Sequence, residues 1–309
     1  MNQERLESLS NDFRALQDRI VSGIETVEVE RGGAAFVEDA WARPGGGGGR
    51  TRVLTAGEVW ERGGVNFSQV EGEASPALQA QMNTSADRFW AAGVSLVMHP
   101  NNPHIPIVHM NVRHFALSDG TSWFGGGIDL TPHYVVPSEA TQFHHVLRRT
   151  CEAHACADYS RFKKEADDYF FVPHRQETRG VGGIFFDHMG REGASEDEWQ
   201  AHKAFVFDVG NAFLSSYLPL VHANVDRPFT AQEREWQLLR RGRYVEFNLV
   251  WDRGTRFGLV SNGRTESILM SLPPEVKWTY AYDAGEKERD TLGWLKKGID
   301  WAGEPVKPA

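Results

Sequence analysis

Val94-Ser95-Leu96-Val97-Met98-His99 and Val108-His109-Met110-Asn111-Val112-Arg113 flank the turn-rich stretch Pro100–Pro106. Val94, Leu96 and Met98 alternate with Ser95, Val97 and His99, and Val108, Met110 and Val112 alternate with His109, Asn111 and Arg113. Side chains of a strand change faces at every residue. Ser95 and His99 therefore share one face, and His109, Asn111 and Arg113 share another. The connector is short enough for an antiparallel hairpin. If helices cover the apolar faces, the two polar faces lie side by side as a built site.

Further strands are expected on either side of this hairpin. Trp123-Phe124-Gly125-Gly126-Gly127-Ile128-Asp129-Leu130-Thr131-Pro132 sets three glycines among aromatics, which permits close backbone approach, and Asp129 projects from a largely apolar run. Gly182–Asp187 is strand-like. Tyr244–Trp251 and Phe257–Ser261 read as a second hairpin across Asp252–Thr255. Helices are expected over about residues 4–25, where Leu6, Leu9, Phe13, Leu16 and Ile20 recur at steps of three and four. Others run from Ser75-Pro76 to about Gly93, from a cap at Ser138, over Asp158–Phe170, and from the Ser195/Glu198 capping box to about Val221. Residues 262–272 carry a short helix, and Leu292, Leu295, Ile299 and Trp301 suggest a docked tail. Gly45–Gly49 is expected to be a mobile loop, because five consecutive glycines suit neither helix nor strand interior. Arg50-Thr51 does not supply the Lys-Ser/Thr pair of a phosphate loop. No βαβ alternation, repeat or Pro/Ser-rich linker appears. The fold class is α+β with an antiparallel sheet, in one domain over 1–309.

The 309 residues carry 42 acidic and 33 basic side chains, a formal charge of −9. An acidic balance argues against nucleic acid as the main partner, since phosphate binding requires a basic footprint. No uninterrupted run of 18 apolar residues occurs, so no membrane span is expected. Cys151 and Cys156 are too few for a disulfide scaffold or a thiolate zinc site, and read as free thiols. Residues 1–30 hold Glu4, Glu7, Asp12 and Asp18 and lack the regions of a targeting peptide, so a cytoplasmic protein is expected.

The chemistry-bearing residues fall into two groups. His99, His109, His144 and His174 sit in or beside polar turns, and imidazole serves as acid, base or metal ligand. No HExxH or similarly tight ligand spacing is present, so spacing alone makes a weak case for a metal. Arg113, Arg175, Arg179 and Arg264 lie in segments that could converge, and guanidinium forks match carboxylates. A convergent set would mark a site for an anionic, carboxylate-bearing ligand; the plain alternative is separate surface ion pairs, each worth under about 1 kcal/mol. There is no GxGxxG fingerprint, GxSxG elbow or flavin motif, so no organic cofactor is expected.

The blocks Gly45–Val53 (GGGGGRTRV), 64–68 (GVNFS), His99–Arg113 (HPNNPHIPIVHMNVR), Trp123–Pro132 (WFGGGIDLTP), Arg179–Asp187 (RGVGGIFFD) and Tyr244–Ser271 (YVEFNLVWDRGTRFGLVSNGRTESILMS) occur in an order that resembles the oxygen-dependent coproporphyrinogen III oxidase family. The resemblance covers about 45–282 and departs at His188, where many members have a second Asp. It implies a cytoplasmic homodimer built on a large antiparallel sheet covered by helices on both faces. It also implies O2-dependent oxidative decarboxylation of two propionates of coproporphyrinogen III, giving protoporphyrinogen IX. By the same resemblance Ser95, Asn111, Val112, Arg113, Asn262, Gly263 and Arg264 contact substrate, and His109 is the general acid. His99, His109, His144 and His174 match a proposed set of metal ligands, with manganese the disputed candidate. Asp129 is expected to accept the pyrrole N–H bonds, and Arg175 and Arg179 to add substrate contacts. Two other classes are compatible with the residues: a four-histidine Mn or Fe enzyme acting on another anionic substrate, and a tetrapyrrole carrier without turnover.

Overall fold

The computed structural model describes residues 3–191, 193–260 and 263–308. The chain runs α1 (Gln3–Glu30), β1 (Val37–Ala42), β2 (Gly47–Thr55), β3 (Trp60–Glu73), α2 (Pro76–Met82), β4 (Arg88–Pro100), β5 (Ile107–Leu117) and β6 (Ser122–Thr131). It continues through α3 (Pro137–Glu152), α4 (Tyr159–Tyr169), the short pair β7 (Phe171–Val172) and β8 (Glu177–Thr178), β9 (Gly182–Met189) and α5 (Glu196–Asn224). Next come α6 (Ala231–Val250), α7 (Arg253–Val260), α8 (Thr265–Leu269) and α9 (Glu286–Trp294).

Seven strands form one antiparallel sheet in the order β1-β2-β3-β4-β5-β6-β9. The central hairpin pairs Ser95 with Asn111 and Val97 with His109, as the alternation predicts. Val94, Leu96, Met98, Val108, Met110 and Val112 face one core with Phe124, Ile128, Ile184 and Phe186. Helices α1 and α5 pack on that face, and their buried stripes, from Leu9 and Phe13 to Val209 and Tyr217, complete it. Helix α5 is long and apolar enough to cross a membrane by length and composition. Its buried side instead belongs to this core, where the Tyr217 hydroxyl accepts from Trp60 Nε1 and donates to the Pro106 carbonyl.

The opposite face carries the polar positions and is covered in pieces. At one end Tyr244 of α6 packs on Val97 and Ile107, and Phe247 packs with Ala166 and Phe170. At the other end Leu78 of α2 joins Phe89, Phe115 and Trp123. Over β2 and β3 the α8 segment lies flat: Ser267 Oγ meets Thr51 Oγ1 at 2.8 Å, and Asn66 Nδ2 donates to the Ser267 carbonyl at 2.8 Å. Met270 crosses Gly64, where any Cβ would collide with its sulfur.

Several expectations change. The segment 244–251 is helical, not the first arm of a hairpin. It continues a helix begun by the Thr230/Glu233 capping box, and Arg241, Tyr244, Val245 and Asn248 are buried at steps of one, three and four. The proposed second arm is α7 through Val260, while Ser261 lies outside the described residues. Gly47–Gly49 are not loop; all three pair with β3 and Gly48 and Gly49 also with β1, and the turn is confined to 44–46. The helix after Ser75 stops at Met82, because Asn83 takes a left-handed conformation (φ 50°), and 88–93 already belongs to β4. Helix α3 starts at Pro137 after Val136, with Ser138 inside its first turn. Strands β1 and most of β3 carry no alternation strong enough to be recognised.

Candidate active site

The polar face is organised by register. Asp39, Thr51, Asn66, Ser95, Asn111, Gly127 and Phe185 stand in one row across the sheet. Beside it run Val97, His109, Asp129 and Gly183 on one side and Gly93, Arg113 and Gly125 on the other. Glycines at 93, 125, 127 and 183 leave backbone where side chains would otherwise stand. The result is a flat patch with His109, Asn111 and Arg113 rising from one strand, between the α2 cluster and the α6 cover.

His109 is one-quarter exposed, and its Nδ1 lies 2.8 Å from Asp129 Oδ1. The partner is an ionised carboxylate, so Nδ1 carries the proton and Nε2 is free for proton exchange on the open face. Asp129 itself is 1% exposed. Arg179 Nη2 donates to both its oxygens at 2.7 Å, and Arg179 Nη1 donates to Asn248 Oδ1 at 2.9 Å. Burial pushes the Asp129 carboxyl up, but the Arg179 charge and the His109 bond outweigh it and hold it below the usual carboxylate range. The Arg179 guanidinium is enclosed by Phe170, Tyr244 and Phe247, with ring centroids at 4.2, 4.8 and 4.9 Å. A buried arginine and a buried aspartate thus fix the tautomer and orientation of one exposed imidazole.

Arg113 sits further along β5. Its Nη1 donates to Asn111 Oδ1 at 2.8 Å and its Nη2 to Asp187 Oδ2 at 2.7 Å, both partners being only part-buried. Ser95 faces the same patch, opposite Asn111. Asp187 was not singled out by sequence, although it ends the RGVGGIFFD block and shares strand parity with Gly183 and Phe185.

Other expected site residues lie elsewhere. Val112 turns its side chain into the opposite core and offers this face only main chain. Asp129 is almost wholly buried beneath the open face, its Oδ1 accepting from His109 and Arg179 and its Oδ2 from Arg179. Arg179 is likewise 5% exposed and donates to Asp129 and Asn248 behind His109. Arg264 pairs with Asp39 at 2.5 Å. Asp39 stands four strand steps from Asn111, about 19 Å at ordinary strand spacing. Gly263 donates to the Gly258 carbonyl beside it, and Asn262 lies outside the described residues. Arg175 is bidentate to Glu246, which His174 also meets at 2.5 Å, on the exposed side of α6. The arginine bonds, with His174, draw the Glu246 carboxyl down to about 2 against its partial burial.

The four histidines do not assemble. His99 is fully buried and its Nε2 donates to the Ser271 carbonyl at 2.8 Å. His144 on α3 uses both ring nitrogens, Nε2 donating to the Val181 carbonyl and Nδ1 accepting from the Tyr159 hydroxyl. Burial brings each down to about 3. Among the described residues no group of three or more His, Cys, Asp or Glu is placed to hold a metal ion. The residues present do not fit the expected metal set.

Chemically, the open face offers a positioned imidazole, a guanidinium with an amide beside it, and a flat glycine-lined surface. That combination suits a broad, carboxylate-bearing ligand lying against the sheet. A family model described as coproporphyrinogen III oxidase matches residues 8–301. The chain belongs to the coproporphyrinogen III oxidase family, oxidoreductases that convert coproporphyrinogen III to protoporphyrinogen IX by oxidative decarboxylation in porphyrin and haem biosynthesis.

Proposed function

We infer that the macrocycle of coproporphyrinogen III lies on the open half of the polar face, over β4, β5, β6 and β9, and that O2 accepts the electrons. In each half-reaction a propionate –CH2–CH2–COO⁻ loses CO2 and a hydride equivalent to become –CH=CH2. O2 takes the hydride equivalent and one proton to give H2O2. The electron-rich pyrrole supplies the push that an organic cofactor would otherwise provide, and no step in this reading runs through a metal or flavin. Arg113, with Asn111 beside it, holds a propionate by charge-assisted bonds. His109 Nε2 exchanges the proton, and Asp129, kept ionised by Arg179, stabilises the imidazolium that forms, as a buried aspartate does for other catalytic histidines.

The observation that carries this reading is the part-exposed His109 imidazole, locked from behind by a buried Arg–Asp pair and flanked by Arg113 on a glycine-lined sheet. Manganese draws no support from the placement of the four histidines. A homodimer belongs to the same reading: Leu249, Val250, Trp251, Leu259 and Val260 expose apolar surface in the 244–271 segment. A cytoplasmic location accords with Cys151 and Cys156 both being free thiols.

The test is freshly reduced coproporphyrinogen III supplied in air, with and without a strong chelator, alongside an anaerobic sample. Chromatography then resolves the tri- and dicarboxylate products. Air-dependent product that survives the chelator is expected. Loss with chelator and recovery with Mn overturns the metal-free reading, and binding without product in any tube leaves a carrier.

A further inference from the structure

The stretch 178–181 carries Arg179 to Asp129, and its main chain is tied down from several sides. Arg179 N–H donates to the Phe170 carbonyl at 2.8 Å, and Val181 N–H to the Leu130 carbonyl at 3.0 Å. Thr178 Oγ1 donates to the Gly180 carbonyl at 2.7 Å. Two further ties come from the chain after α9 and from α3. Thr178 N–H donates to the Leu295 carbonyl at 2.9 Å, and the Val181 carbonyl accepts from His144 Nε2 at 3.1 Å. Both immediate flanks of the Arg179 turn are therefore held from the side away from the open face.

The segment 295–302 is itself built into the body. Leu295, Ile299 and Trp301 are at most 3% exposed and join the main core. Gly298 N–H donates to the buried Asp167 at 2.8 Å, where Lys163 also pairs. Lys296 Nζ donates to the Gln176 carbonyl at 2.9 Å, and the Ala302 carbonyl accepts from His145 Nε2 at 3.0 Å. The Trp301 ring stacks on the His144 ring, with centroids 6.4 Å apart, while the Tyr159 hydroxyl holds the other nitrogen of His144. One tie on Arg179 thus depends on this segment directly, and the other through His144.

We propose that residues 295–302 position His109 for proton transfer, acting through Thr178 and His144, then Arg179, then Asp129. His144 and Trp301 are positioning residues in this chain of contacts. This rests on the role of His109 inferred above and extends it to a part of the chain remote from the substrate. If the Arg179 turn loosens, Asp129 and the imidazole turn with it, and misplacing a reacting group by about 1 Å costs on the order of 10²-fold in rate. Arg113 is held separately, by Asn111 and Asp187, so its grip on a propionate does not depend on the segment.

The test measures kcat and KM of the full chain with coproporphyrinogen III in air, per folded protein. Trp301→Leu keeps apolar volume but removes the stacked ring, and His144→Phe keeps a ring but removes the donor to Val181. Each lowers kcat about tenfold or more and leaves KM within about threefold of wild type. Trp301→Phe restores a ring behind His144, and His144→Gln offers an amide donor to the same carbonyl; both keep kcat within about threefold of wild type. Added to His109→Gln, His144→Phe costs nothing further, because both disable one device. Wild-type kcat in folded Trp301→Leu and His144→Phe overturns the proposal, as does a rise in KM with kcat held. So does a full additional loss on top of His109→Gln. Equal losses in His144→Phe and His144→Gln, recovered with added Mn, make His144 a metal ligand instead. Wild-type turnover in His109→Gln removes the role of His109 itself, and no product from wild type removes the substrate assignment.

Discussion

Two arginine–aspartate pairs stand on one face of the sheet and are built oppositely. Arg179 and Asp129 are sealed under Phe170, Tyr244 and Phe247. Arg113 and Asp187 lie across bare backbone at Gly125, a third exposed. In a buried pair, removing one partner strands a charge and costs about 3–5 kcal/mol; an exposed pair is worth roughly 0–1 kcal/mol. The sealed pair therefore cannot trade partners with a ligand and serves to hold His109. The open pair exchanges its hydrogen bonds cheaply, which is what substrate contact requires. Burial, and not residue type, divides positioning from recognition.

The harshest way to break this contrast is Arg179→Met. It leaves Asp129 buried without its cation, so a stability loss of about 3–5 kcal/mol is expected, measured by urea unfolding. If the Asp129–Arg179 pair acts through His109, turnover falls about 10²–10⁴-fold in Arg179→Met, in Asp129→Asn and in His109→Gln alike. The double variant Arg179→Met/Asp129→Asn loses no more turnover than either single, because both remove one device. Turnover at the wild-type level in a folded Arg179→Met variant ends the positioning argument.

Arg113→Ala sharpens the other side. Its pair is a third exposed, so unfolding in urea changes little, while KM rises about tenfold or more through the loss of a charge-assisted propionate contact. A stability loss as large as that of Arg179→Met, with KM unmoved, reverses the assignment of the two pairs.

Much of this face is legible in the sequence, and the limits have identifiable causes. The β4–β5 alternation fixed the hairpin and placed His109, Asn111 and Arg113 together, because period two is local. The position of Val112 on the opposite face follows from the same period, yet resemblance had made it a contact. The burial of Asp129 is not local: it depends on Arg179 arriving from the loop after β8 and on Tyr244 and Phe247 arriving from α6. Reading 244–251 as a strand hid that cover. Its aromatic and β-branched residues favour strands in isolation, whereas the capping box at Thr230 and Glu233 starts the helix 14 residues earlier. Asp187 was within a recognised block, but its exposure is decided by a bulge and by Gly125 on the neighbouring strand.

Histidines offer a milder contrast between sealed and open sites. Burial draws His99 down to about 3, with Arg241 adding to the effect, whereas an unfolded histidine titrates near 6.5. The folded value is the lower one, so the unfolded chain binds this proton first. The stability contribution is complete above about pH 6.5 and is lost as pH falls toward the folded value. His114 and His144, also brought to about 3 by burial, act in the same sense. Urea unfolding between pH 7.5 and 5 is expected to show stability declining from near pH 6.5. His99→Gln flattens that slope by about 1.4 kcal/mol per pH unit. A slope that begins only near pH 4.5 assigns the acid loss to carboxylates instead.

The smallest effect is expected at Asp39. Its pair with Arg264 joins β1 to the α8 segment, with side-chain exposures of 47% and 31%. Asp39→Asn should change unfolding free energy by less than about 1 kcal/mol. Arg264 nevertheless keeps a buried Nη1 without a hydrogen-bond partner. A donor in that position gains from a carboxylate arriving beside it, and freeing Arg264 from Asp39 leaves more of its N–H groups to donate to one. KM for a tetracarboxylate should therefore fall slightly in Asp39→Asn, by less than about fivefold, and the fall should shrink as salt is raised. If KM rises instead, Arg264 needs Asp39 to hold its pose, and this pair belongs with the sealed one in spite of its exposure.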